Sequence, residues 1–348
     1  MKKISFRTWA SIVTFGLIAV LLFVSRHELV HSWRLMGQVD MRIIWLVLPL
    51  VVVSYLSAGE IMFSYLRQKK AITNINILSQ MRMSLELNFV NHVLPSGGVS
   101  GLSYMNWRLG KYGVSSGRAT MAQMVRYATS FGALVCLLAV SVVIVTIDGT
   151  INRWIILMSS LLVTVMIMVI LGGVYLLRSE ARIRRLAAHL TRLVNGTVRR
   201  LTAGRRRVVL RQGCIEDFLI DMHDDFMELR SNRRLLIRPF WWSMLFTVIE
   251  IAVFWTVFWS LGLMVNPAAI MIGYGLATVM GIVFVTPGGA GAYETVMVMI
   301  LAFAGTAQGE AIAGVVLARA IILAVIVVVG YVVYQHALLK YGKKKDEA

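Results

Sequence analysis

The sequence predicts an all-α polytopic membrane protein of about six full transmembrane helices plus two Gly/Pro-broken re-entrant hairpins, or eight spans, arranged as an inverted-topology repeat. Three observations lead there. Hydrophobic residues make up 58% of the 348, and apolar runs of about 20 residues, enough for a helix to cross a bilayer, recur along the chain. The positive charge, +18 net, is gathered in a few segments instead of being spread evenly. Two stretches also carry the same landmarks in the same order: Glu60, Pro95, Gly97-Gly98 and Arg126, then Glu250, Pro287, Gly288-Gly289 and Arg319, about 190 residues further on.

Residues 1–42 read as an N-terminal anchor helix and an interfacial segment. Lys2, Lys3 and Arg7 precede the apolar run 9–24 as in a signal peptide, but no small-x-small cleavage site follows, so the anchor is expected to be retained. Beyond it, His27-Glu28-Leu29-Val30-His31 has the pattern in which two His one helical turn apart bind zinc beside a general-base Glu. A catalytic zinc needs a third protein ligand, and His92, His189, His223 and His336 are scattered over other segments. The competing reading is an interfacial helix with Leu29, Val30, Trp33 and Met36 toward lipid; a zinc-dependent membrane protease is the remote alternative.

The first membrane repeat spans 43–177. Its opening run reaches Arg67, Lys69 and Lys70, which belong on the cytoplasmic side because Lys and Arg accumulate there. Residues 71–118 are less hydrophobic, contain Asn88, Asn91 and the Pro95/Gly97/Gly98 break, and end again in positive charge at Arg108, Lys111 and Arg118, the pattern of a hairpin that re-enters on the side it left. Runs 119–146 and 154–177 then cross outward and back. Residues 178–238 form a basic cytoplasmic loop with fifteen Arg against seven acids; Phe218 and Phe226 are its only aromatics, so it lacks the base-stacking module of a nucleic-acid binder and is expected to meet anionic headgroups. The second repeat covers 239–335, and 336–348 is a basic cytoplasmic tail. Both termini come out cytoplasmic. Cys136 and Cys214 are too few for a disulfide framework.

This bookkeeping reverses the direction of every equivalent segment between the halves, the signature of an inverted repeat with a transport site near the midplane. At a rise of about 1.5 Å per residue, Glu60 and Arg126 lie roughly 9 and 12 Å from the cytoplasmic edge, and Glu250 and Arg319 roughly 15 to 18 Å from the outer edge. Each half is therefore expected to pair its own Glu and Arg, since an unpaired charge at such depth is costly. Two readings stay open: the Arg forks receive a lipid phosphate while the Glu hold or release them, or the four charges are plain buried salt bridges. The glycines Gly97, Gly98, Gly288, Gly289 and Gly291 likewise permit either an anion-binding turn or close helix packing. Glu294, just after the second turn, is expected to cap the helix that begins there; Glu60, Glu250 and Glu294 are also the candidate proton carriers. No nucleotide-cradling glycine loop is present in the sequence and no cofactor is expected.

Asn91-x-x-Leu-Pro-Ser-Gly-Gly98 and Pro287-Gly-Gly-Ala-Gly-Ala-Tyr-Glu294, each followed by an intramembrane Arg, resemble the lysylphosphatidylglycerol synthase transmembrane family, flippase-like domains found alone or fused to an aminoacyl-lipid synthase. The resemblance covers the chain from its first span to Arg319. It implies a lipid translocase of a bacterial or archaeal cytoplasmic membrane, acting on an anionic phospholipid or polyprenyl-phosphate lipid. A separate lipid-modifying enzyme and further copies of the chain are the other candidate partners. The alternative is a membrane subunit or scaffold of aminoacyl-phospholipid synthesis. The family often has Glu immediately before the first intramembrane Arg, where Val125 stands in this chain, and the thirteen residues after Gln335 leave no room for the aminoacyl-transferring domain, so the chain itself is not expected to be an enzyme.

Overall fold

The computed structural model describes residues 39–72, 75–94, 99–148, 153–185, 212–283 and 289–341, and all regular structure among them is helical. The first half consists of α1 (Met41–Ile44), α2 (Val47–Gln68), α3 (Ile77–Val93), α4 (Val99–Gly110), α5 (Ser116–Asp148) and α6 (Arg153–Leu177). Helix α7 (Gln212–Ser231) follows, and the second half holds α8 (Ile237–Ser260), α9 (Pro267–Val283), α10 (Ala292–Phe303) and α11 (Gln308–Tyr341). Proline explains several starts: Pro49, Pro239 and Pro267 sit in first turns, where a missing N–H breaks no helical bond. Asn266 caps α9, its side chain accepting from the Ala268 N–H at 2.9 Å.

Element lengths repeat as the landmarks do. Helices α2, α3, α4 and α5 run 22, 17, 12 and 33 residues; α8, α9, α10 and α11 run 24, 17, 12 and 34. The equivalent helices α2 and α8 form an extensive contact and run antiparallel. The Asp40 N–H donates to the Ser260 carbonyl at 2.8 Å, Ser54 meets Glu250 at mid-helix, and the Gln68 amide donates to the Leu235 carbonyl at 3.4 Å. Each pairing joins a later residue of one helix to an earlier residue of the other, which is the inversion expected from the charges.

Among the described residues, four helices are long and apolar enough to cross a membrane: Met41–Gln68, Ser116–Ser141, Arg233–Ser260 and Gln308–Tyr341. Helix α6 adds 25 residues with no charge after Arg153; the expected 9–24 span lies outside the described residues. The paired helices α3/α4 and α9/α10 have the dimensions of hairpin arms. A 12-residue arm is about 18 Å long, well short of a hydrocarbon core of about 30 Å. The first hairpin opens at the end of the bundle where α2 stops and α5 starts, and the second at the opposite end, where α8 stops and α11 starts. The two interlock across the halves: α3 packs on α11 and α9 on α5. Phe89 lies against Gly330, with its ring 5.2 Å from that of Tyr334, and Gly275 leaves room for Leu134 and Leu138.

One end of the bundle is basic and tied by charge. The buried Lys69 ammonium, at the end of α2, meets Asp225 at 2.5 Å and Glu228 at 2.9 Å on α7, and the Arg118 guanidinium approaches Asp225 at 3.6 Å. Nearby, the Nδ1–H of His223 donates to the Leu177 carbonyl at 2.7 Å. Within 178–238 the charge is divided. The Arg runs 199–200 and 205–207 lie outside the described residues, whereas α7 carries six acids against Arg230 and docks on the basic helix ends.

Two outcomes follow from this packing. A Cβ on Gly314 would stand 2.1 Å from Cε1 of Phe258, whose ring has no exposed surface to retreat to. Gly314→Ala is expected to destabilise the α8–α11 contact by about 1 to 3 kcal/mol, read as a lower thermal midpoint in detergent, and an unchanged midpoint would contradict so tight a contact. Lys69→Met strands Asp225 without its buried cation, at a cost of about 3 to 5 kcal/mol, and is expected to undock α7. Faster proteolysis between residues 178 and 238 is the readout.

Candidate functional site: a cavity shared by the two halves

A cavity of about 550 Å³ lies where the two halves meet. From the first half it is lined by Ser54 and Tyr55 on α2, Asn88, Asn91 and His92 on α3, and Arg126 and Tyr127 on α5. From the second half come Glu250 on α8, Tyr274 and Gly281 on α9, Tyr293 on α10, and Arg319 on α11. Both intramembrane arginines therefore face one space, together with Glu250 and Asn91. Glu60 is not among the lining residues. Pro95, Gly97, Gly98, Pro287 and Gly288 lie outside the described residues.

The expected pairing of each half's own Glu and Arg is not made at ion-pair contact. Glu60 pairs with Arg67, which lies seven residues on and hence about two turns along the same helix face. Arg319 pairs with Glu294, its Nε–H donating to Oε1 at 2.6 Å, and both side chains are buried. The Arg319 guanidinium also lies 4.4 Å from the centre of the Tyr293 ring. Glu294 is placed for this because it stands at the start of α10, which packs on α11. Its second oxygen accepts from the Gly291 N–H at 2.7 Å, closing the α10 N-terminus as a cap. That N–H is thereby unavailable to an outside anion. At Gly289, φ is +72° and a Cβ would come 2.9 Å from the Gly281 Cα, so this turn residue serves close backbone packing.

The halves differ at the equivalent positions, and the difference sets the charge of the cavity. Glu294 is the third residue of α10; the third residue of α4 is Gly101. A Cβ at Gly101 would fall 2.1 Å from Oδ1 of Asn91, so the first half uses the position to seat an amide against the helix. Arg126 is left without the acid that its counterpart has. Its Nε makes no hydrogen bond among the described residues, and its guanidinium sits 5.0 Å from the Tyr127 ring. Glu60 and Glu250 are likewise both the fourteenth residue of their helices. Glu60 has Arg67, whereas Glu250 accepts a hydrogen bond from the Ser54 hydroxyl and has no ion pair within 4 Å among the described residues. One guanidinium and one carboxyl are thus left open in the same cavity, one from each half.

Several lining residues were not singled out as site residues in the sequence: Ser54, Tyr55, His92, Tyr127, Tyr274 and Tyr293. Asn88, Asn91 and His92 at i, i+3 and i+4 form a polar stripe on one face of α3, and that spacing is a readable signal. The Nδ1–H of His92 donates to the Asn88 carbonyl at 2.8 Å. A second buried pair was also missed. The Nε–H of Arg108 donates to Glu86 at 3.1 Å, Tyr104 donates to the same carboxylate at 2.9 Å, and the guanidinium lies 3.9 Å from the Tyr341 ring. It fastens both arms of the first hairpin to the end of α11. No cluster of three or more metal-ligating side chains occurs among the described residues, and His27 and His31 lie outside them.

A comparison with curated proteins finds no match. The family model described as lysylphosphatidylglycerol synthase TM region matches residues 8–330, a stretch that takes in both halves and every cavity residue named above. The chain therefore belongs to the lysylphosphatidylglycerol synthase transmembrane-region family and is a multi-pass membrane protein linked to lysylphosphatidylglycerol synthesis or lipid flipping.

Proposed function

We propose that the protein moves an anionic, phosphate-bearing lipid between leaflets, with the shared cavity as the headgroup site and the two halves rocking about the hairpins. The observation that carries this reading is the presence of Arg126 and Arg319, from opposite halves, in one cavity, with the Arg126 Nε unpartnered. A buried donor left unmade is expensive, and a guanidinium fork matches two phosphate oxygens. Tyr127 supports one side of that guanidinium, and the Asn91 amide from the hairpin arm supplies a further polar group at the wall. The volume falls within the range of small-molecule sites, roughly 300 to 1,000 Å³, and suits a phosphoglycerol-sized headgroup while the acyl chains stay in lipid.

The inverted repeat supports alternating access, because exchanging the conformations of two inverted halves turns a site open to one side into a site open to the other. The basic end, with Lys69, Arg118 and Lys340, belongs on the cytoplasmic face of a cytoplasmic membrane by the distribution of Lys and Arg. In this reading Arg319 and Glu294 form a standing pair that orients the wall, and Arg126 is the group that engages the phosphate.

The test is lipid movement in vesicles containing labelled phosphatidylglycerol, phosphatidylcholine or a polyprenyl phosphate. Wild-type protein is expected to accelerate exchange of an anionic lipid over that in protein-free vesicles. Arg126→Ala is expected to slow it about tenfold to a hundredfold, the worth of one charge-assisted hydrogen bond. Exchange equal to protein-free vesicles for every lipid would contradict the proposal. Co-purification with a lipid-modifying enzyme and no transport of its own would assign the chain a scaffold role.

A further inference from the structure

The charges of the cavity can be summed from the pairs described above. Arg319 is balanced by Glu294 at contact, and Glu60 is balanced by Arg67 outside the cavity. What remains is Arg126, always cationic, and Glu250, which changes charge. With Glu250 ionised the empty cavity is neutral. A phosphodiester monoanion entering it would leave one negative charge uncompensated inside the membrane, and a net charge at such depth is strongly disfavoured.

We infer that Glu250 takes up one proton when the cavity takes up a phosphodiester anion, so that anion and proton enter and leave the site as a neutral pair. The inference rests on the reading of the cavity as an anion site, and it adds the ion that travels with the substrate. Proton balance is simple. A proton from the water on the open side joins the Glu250 carboxylate as the anion binds, and the same proton returns to water when the anion leaves.

The groups around Glu250 single it out for this task. Ser54 on α2 donates to its Oε1 and holds it at the cavity wall. Tyr55 on α2, Tyr274 on α9 and Tyr293 on α10 face the same space, and phenols stay neutral across the pH range in which carboxyls change charge. Arg126 on α5 and Arg319 on α11 remain charged throughout. Glu294 is engaged twice, by Arg319 and by the Gly291 N–H. His92 on α3 is the other lining side chain able to take up a proton, and its Nδ1–H is already donated to the Asn88 carbonyl. Proton uptake at Glu250 also releases nothing else from its partner, because no cation is bound to it at contact among the described residues.

Calorimetric titration of the full chain in detergent micelles tests this, with short-chain dihexanoyl phosphatidylglycerol and, as a headgroup-only arm, dimethyl phosphate. Both probes keep a single negative charge from pH 5 to 9. Binding by the lipid arm alone identifies a lipid site, and equal binding of both identifies a site for the phosphodiester itself. The wild-type protein is expected to take up one proton per anion above the Glu250 transition, read from the dependence of heat on buffer ionisation. Affinity there weakens by up to about tenfold per pH unit. Glu250→Gln, which mimics the protonated carboxyl, is expected to bind above the transition as tightly as wild type does below it, with no proton uptake; its thermal midpoint checks folding. His92→Asn is expected to keep the wild-type slope. A pH-independent wild-type affinity overturns the inference while leaving the anion site standing, and loss of the slope in His92→Asn but not in Glu250→Gln overturns the assignment to Glu250. Should neither probe bind, the anion-site reading fails, and infrared titration decides the proton separately. The absence of a carboxylic-acid band that titrates and is lost in Glu250→Gln then overturns that part too.

Discussion

A charge inside a membrane must find a partner, and this constraint organises the molecule. Four described acids within the bundle are each held by a specific contact: Glu60 by Arg67, Glu86 by Arg108 and Tyr104, Glu294 by Arg319 and a helix N-terminus, and Glu250 by Ser54. Each contact also fixes a joint of the fold. Glu86 and Arg108 clasp the two arms of the first hairpin, Glu294 ties the second hairpin to α11, and Ser54 and Glu250 join the antiparallel pair α2 and α8 at its middle. The polar contacts that satisfy the bilayer are thus the ones that hold the repeat together.

Duplication alone would give two halves with the same charges and the same partners. The structure departs from that at two places. Gly101 stands where Glu294 stands, and Val257 stands where Arg67 stands. Each departure removes one partner, the first from Arg126 and the second from Glu250. Among the described residues, the consequence is a cavity in which every charge is held in an ion pair except one from each half. Two such open charges are what a site for an anion and a proton requires, and neither would survive in contact with lipid. The asymmetry therefore carries more functional meaning than the repeat does.

The repeat, the inversion and the helical class were legible in the sequence because their signals survive without knowledge of neighbours. Glu and Arg are rare in apolar runs, Pro and Gly mark the breaks, and basic residues mark the helix ends. The division of residues 268–305 was not legible, since they stay hydrophobic throughout and only the structure shows arms of 17 and 12 residues. Which Glu meets which Arg was also hidden. Pairing depends on where a side chain points around its helix axis and on which helices pack, and chain order fixes neither. In the sequence Arg67 marks topology, yet it is the partner of Glu60; Glu294 has the position of a cap, and it caps while also holding Arg319. The acidic docking helix α7 was obscured by the fifteen Arg counted with it.

Whether the Arg126 side of the cavity holds a lipid phosphate is tested most directly by an electron cryomicroscopy map of the full chain in nanodiscs containing phosphatidylglycerol. Headgroup density is expected in the shared cavity, with phosphate oxygens within hydrogen-bonding distance of the Arg126 guanidinium and Glu294 still on Arg319. A cavity closed by side chains, with Arg126 bound to an acid of the protein, would contradict it.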